Sequence, residues 1–161
     1  MANEKLVLTF EPNITVAGQI LILEAVDFIY SVAVLKDVGL RNDRPPDWHL
    51  YITTLPGKLL APAWVLRVHS AHSSAVTEVV EGVDRGVQLL KKLLRMLREL
   101  QAVGPAQIKL RIVREELLPV IEHLRTLGAP EEQINEMISK VLLYADGVLT
   151  ELMKQNKLKL Q

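Results

Sequence analysis

The sequence predicts an α+β fold: a small antiparallel or mixed sheet of three strands, packed on long helices and followed by a helical C-terminal part. Three observations predict it. Leucine occurs 28 times in 161 residues, while Phe, Trp and Tyr together occur seven times. An aliphatic, Leu-rich core favours helix packing, because Leu forms helices well and loses little rotamer freedom there. Short stretches near the start and around the two tryptophans alternate apolar with polar residues, the period of a strand. From residue 74 onward, apolar residues recur instead at three- and four-residue steps.

Residues 5–10 read as the first strand, with Leu6, Leu8 and Phe10 on one face. Pro12 and Asn13 end it. A helix over 15–36 follows, with Thr15 as the N-cap, its hydroxyl accepting from a first-turn amide. This helix is apolar almost all round apart from a stripe of Glu24, Asp27 and Ser31. Such a helix must be covered on most sides. Its length permits a membrane span. Its Ile, Leu, Val and Phe residues contribute about −5 kcal/mol on the insertion scale, while each acid at the centre costs about +3. The sum lies near zero, so no stable span is expected.

The Pro- and Gly-containing stretch 37–47 is a loop. A β-hairpin is expected next. Trp48, Leu50, Ile52 and Thr54 alternate in one arm, Trp64, Leu66 and Val68 in the other, with both tryptophans on the buried face. One long helix is read over 74–103, capped by Ser73 or Ser74. Val83, Val87, Leu90, Leu94 and Leu97 belong to its apolar face. Gly82 and Gly86 lie four apart, and the simpler reading is that the helix tolerates them at some cost.

Gly104 and Pro105 break the chain. Residues 106–127 continue the helical spacing, although 107–112 also alternates as a strand would. A strand there gives a fourth strand and a ferredoxin-like order. A helix is favoured, because the spacing continues to Leu124. It carries Pro119, which would kink a continuous helix. Gly128 stops it, and Pro130, Glu131 and Glu132 start a last helix that Asp146 and Gly147 interrupt. The organisation expected is one compact unit, with residues 1–103 as the α+β part and 104–161 as a helical segment packed on it.

Composition narrows the chemistry. The absence of Cys excludes disulfides, thiolate metal sites and cysteine nucleophiles. Lys+Arg and Asp+Glu both number 19, so no whole-chain charge selects nucleic acid or membrane. No basic segment followed by an apolar run suggests a secretory signal, which points to a cytoplasmic setting. Neither a P-loop, a dinucleotide fingerprint nor a Gly-x-Ser-x-Gly elbow is present. No cofactor or metal site is expected.

The candidate ligand site is His69, Ser70, His72, Ser73 and Ser74, placed where a strand gives way to a helix. Free amides at a helix start attract anions, and hydroxyls and imidazoles add donors. Serine capping explains the same residues without a ligand. His69 and His72 alone lack the third ligand a metal needs. Glu24 and Asp27 would serve as an acid–base pair only if one pKa were raised. A solvated stripe is the plainer explanation of the pair.

Charge is distributed in blocks. Residues 85–114 hold eight Lys or Arg and one acid, whereas 115–151 hold eight acids and only Arg125 and Lys140. The basic patch comprises Lys91, Lys92, Arg95, Arg98, Lys109, Arg111 and Arg114. It either meets the acidic block, in this chain or a second copy, or binds phosphates. No aromatic residue interleaves it, so stacking on single strands is not indicated.

The hydrophobic fraction of 49% is high for one domain, which suggests apolar surface buried between chains. The function expected is therefore a non-enzymatic interaction or assembly module that self-associates, or binds a partner protein, through helix faces. The interface residues would be Val83, Val87, Leu90, Leu94 and Leu97. The alternative is a nucleic-acid- or anionic-ligand-binding protein using 85–114 and the helix start at 69–74.

Overall fold

The computed structural model describes residues 2–38, 45–69, 76–100 and 106–161. It is an α+β fold with a four-stranded antiparallel sheet and a helical C-terminal part. Strand β1 (Asn3–Phe10) leads into helix α1 (Val16–Val38). Strands β2 (Arg67–Val68) and β3 (Thr77–Val83) precede α2 (Asp84–Glu99). Helices α3 (Ala106–Glu116), α4 (Leu118–Thr126) and α5 (Glu131–Leu142) follow. A π-helical segment (Leu143–Thr150), the short α6 (Glu151–Lys154) and β4 (Leu158–Leu160) complete the described chain. The sheet order is β2-β3-β1-β4.

β1 buries Leu6, Leu8 and Phe10, as its alternation predicts. The Gly18 amide donates to Thr15 Oγ1 at 3.0 Å, so Thr15 caps α1. From Ile22 to Leu35 most of α1 is buried. It packs against α2, α4 and the π segment.

The expected hairpin is not formed. Residues Trp48–Thr53, Pro56–Leu59 and Pro62–Trp64 wind as three short 3-10 turns. Proline at the start of the second and third turns explains this, since its fixed φ suits a turn and it offers no amide to a ladder. Burial follows the turn. Trp48 and Ile52 are 7% and 0% exposed, whereas Leu50 between them is 47% exposed. Of the hairpin's second arm only the two residues of β2 remain.

The helix expected over 74–103 begins at Asp84. Residues Thr77–Val83 form β3, paired antiparallel with β1 from Asn3↔Val83 to Thr9↔Thr77. The β-branched run of Thr77, Val79, Val80 and Val83 suits a pleated, half-buried strand and explains the difference.

Gly82 and Gly86 bracket this strand–helix junction. A Cβ on either would stand 2.6 Å or 2.5 Å from the Tyr30 ring, so the two glycines form the seat of that side chain. Their role is close approach rather than tolerance. The Tyr30 hydroxyl accepts from the Val83 amide at 2.8 Å and donates to the Trp64 carbonyl at 2.6 Å.

Residues 107–112 are helical, in α3, so the ferredoxin-like order is not adopted. Pro119 falls in the first turn of α4, where its missing amide costs nothing. Gly128, at φ +88°, ends α4. The Ala129 amide donates back to Leu124, as a left-handed C-terminal cap requires. The interruption expected at Asp146 and Gly147 is the π segment. The fourth strand is β4, which the sequence reading missed. It pairs with β1 at Leu8↔Leu160, Thr9↔Lys159 and Phe10↔Leu158.

Candidate functional site

The polar stripe of α1 opens into a cleft of about 510 Å³. Glu24, Asp27 and Phe28 of α1 form one wall. Residues 54–58 of the 3-10 region, with Val65, form another, and Lys140 of α5 and Tyr144 of the π segment close it. The i, i+3, i+4 spacing of Glu24, Asp27 and Phe28 puts all three on one side of the helix.

Ser31, fully buried one turn further on, donates a long hydrogen bond of 3.4 Å to Asp27 Oδ1. Gly57 stands directly over the pair. A Cβ there would lie 3.2 Å from Ser31 Oγ and 3.8 Å from Asp27 Oδ2. Asp27 stays exposed at the cleft, but the walls remove part of the water around its carboxyl and push its pKa above the usual value, which the Ser31 hydrogen bond only partly opposes.

The aromatic wall is built by Phe28 and Tyr144, whose ring centroids lie 5.3 Å apart. Lys140 Nζ sits 5.1 Å and 5.8 Å from those two centroids and donates to the Thr53 carbonyl at 2.8 Å. This fixes the ammonium at the edge of the cleft. Desolvation, then the nearby Glu24 charge, raises the pKa of the Tyr144 hydroxyl. The π winding delivers both Tyr144 to this cleft and Asp146 to Lys109, at 3.0 Å.

No protein-family model, curated protein or solved structure matches the chain. The residues themselves must therefore carry any assignment of function.

His69 lies just beyond β2, where its Nε2 is 3.0 Å from Glu81 Oε2 and its amide bonds to the Val79 carbonyl. It adjoins a strand pair rather than a helix start. Ser70, His72, Ser73 and Ser74 lie outside the described residues. Among the described residues no three His, Asp or Glu side chains gather as a metal site.

The residues of the expected interface lie at the end of β3, with Val83, and on α2, and the structure corrects their role. Val83, Val87, Leu90, Leu94 and Leu97 are all buried in this chain. Their periodic face packs inward, so it is not free to meet a second copy.

The charge blocks meet within the chain. Lys92 pairs with Glu116 at 3.1 Å and Lys109 with Asp146 at 3.0 Å, while Arg114 donates to Asn135 at 2.8 Å. Lys91 turns the other way, to Glu4 on β1, at 3.1 Å. Arg95 and Arg98 make no ion pair with a described residue. They line a shallow groove of about 250 Å³ with Lys91, Leu94, Met153 and Leu160. Arg111 is exposed on α3.

The sequence reading passed over one surface. Val16, Ile20 and Leu21, on the first turns of α1, are 75%, 50% and 41% exposed. Among the described residues α1 is the one helix long and apolar enough to cross a membrane, and 61% of that stretch is buried. The signal was available, because a helix apolar all round needs cover along its whole length. Sequence alone did not say which end lacked it.

Proposed function

We propose that this protein is a non-enzymatic assembly module that self-associates through the open first turns of α1. The observation that supports the reading is the exposure of Val16, Ile20 and Leu21 on a helix most of which is buried from Ile22 to Leu35. Burying such a surface in a second copy gains roughly 25 cal/mol per Å² of apolar area removed from water. Lys92 and Lys109 of the basic block are paired within the chain, so orientation of the contact is left to shape and apolar fit rather than to them. In this reading α1 belongs to a folded chain in the cytoplasm rather than to a bilayer, as the burial of most of its length favours.

Light scattering over a wide range of concentration tests the proposal. The expected result is a discrete oligomer that Val16→Asp with Ile20→Glu converts to a folded monomer. A wild-type monomer throughout would overturn it.

The unpaired guanidinium groups of Arg95 and Arg98 favour a second reading, an anionic ligand held over the apolar floor of Leu94 and Leu160. Inorganic phosphate and a short oligonucleotide at low salt are the probes. Loss of binding in Arg95→Gln with Arg98→Gln is expected, and no binding by the wild type removes this reading.

A further inference from the structure

We infer that the cleft between α1, the 3-10 turns and α5 binds a small zwitterion, an ammonium and a carboxylate joined by an apolar body, as in a free apolar amino acid. This goes beyond the assembly proposal and does not depend on it, since the cleft is formed within one chain.

The lining carries the argument. Two carboxyl groups, Glu24 and Asp27, and two ammonium groups, Lys58 and Lys140, face one space. Among the described residues no ion pair joins them. Lys140 is held instead by the Thr53 carbonyl and the Phe28 and Tyr144 rings, and Lys58 is exposed. Elsewhere the same chain pairs its charges readily, at Lys91–Glu4, Lys92–Glu116 and Lys109–Asp146. Here opposite charges share a cleft and stay apart.

A ligand with one charge of each sign satisfies both sides at once. A ligand with a single charge meets an unlike partner on one wall and a like charge on the other. The space of about 510 Å³ suits a small molecule. Phe28, Val65 and the Tyr144 ring supply apolar contact for its body.

Asp27 is the strongest anchor. Its carboxylate is partly desolvated, and Ser31 is its only described hydrogen-bonding partner. Among the described residues neither lysine forms an ion pair with it. An incoming ammonium supplies the missing countercharge. Gly57 leaves room for it, because a side chain at this position would press on Ser31 and come into contact with the Asp27 carboxyl.

Nuclear magnetic resonance titration of the full chain tests the inference, with apolar L-amino acids from L-valine to L-phenylalanine as probes. Their decarboxylated amines and deaminated carboxylic acids serve as controls. At least one amino acid is expected to shift the amides of Asp27, Gly57 and Tyr144 together. It should bind at least about tenfold more tightly than either singly charged control. Asp27→Asn and Lys58→Met should each weaken it by about tenfold or more while leaving the rest of the spectrum unchanged. The inference is overturned if no amino acid shifts these amides at concentrations on the order of millimolar. It is equally overturned if the amine alone binds as tightly, or if both variants bind as the wild type does. Light scattering reads the assembly proposal separately, so failure of one is distinguishable from failure of the other.

Discussion

Tyr30 is the residue on which the junction of sheet and helices turns. Its hydroxyl serves both the Val83 amide, where β3 becomes α2, and the Trp64 carbonyl, at the end of the 3-10 region. Tyr30→Phe leaves both groups without their partner, and unfolding in urea should show a loss of about 1–3 kcal/mol. Gly86→Ala forces a methyl group against the Tyr30 ring and Val34, and should cost about 1–3 kcal/mol by overpacking. The two glycines were visible in the sequence. Their meaning was not, because the ring they seat lies some fifty positions earlier in the chain. Asp27 behaves differently. Its folded-state pKa is raised, so the native state holds a proton that the unfolded state has already released. Stability from this group is present at low pH and is lost as pH rises through the folded value. Asp27→Asn should therefore raise the melting temperature at neutral pH. The difference should shrink toward zero as pH falls to the ordinary aspartate value of 3.8.

At the scale of elements, β1 was legible from its alternation, α1 from the length of its apolar run, and the last helix from its three–four spacing, whereas α3 carried two competing periods at its start. The 3-10 region was not. Its apolar and polar residues alternate, yet Pro56 and Pro62 interrupt it and burial follows a turn rather than a pleat. Ile52→Ala should cost about 2–5 kcal/mol, while Leu50→Ala costs far less. A hairpin would bury both and make the two losses similar, so urea unfolding of the pair discriminates the two structures. The β3–α2 boundary was hidden by a coincidence. Val76, Val80, Val83 and Val87 keep a three–four spacing across it, while the β-branched residues between them belong to a strand. The cleft was half legible. Glu24 and Asp27 were recognisable as a pair, but Lys58, Lys140 and Tyr144 come from distant segments that only the fold assembles.

Across the whole molecule, the division at residue 103 describes sequence character rather than separate units. The C-terminal segment packs α3 and α5 on the earlier elements and returns through β4 to the edge of β1. Val7 and Gln161 exchange both backbone hydrogen bonds, at 3.0 Å each. Unfolding should accordingly be a single cooperative transition, seen alike by far-ultraviolet circular dichroism and tryptophan fluorescence. Removing residues 157–161 should lower its midpoint without splitting it. Two separated transitions in the intact chain would show that the halves fold independently.

The position of β1 also governs the order in which the protein can be made. Its neighbours in the sheet are residues 77–83 on one side and 158–160 on the other. β1 therefore waits for residues 158–160 to leave the ribosome before its second edge is covered. α1, the most apolar segment, emerges next and stays without α4 and the π segment until residues 118–150 have been synthesised. Loops this long close slowly, and exposed apolar helix in the interval invites association. A nascent chain stalled before α4 should bind a general chaperone more strongly than the finished protein, with Ile22, Ile29 and Leu35 among the residues it shields.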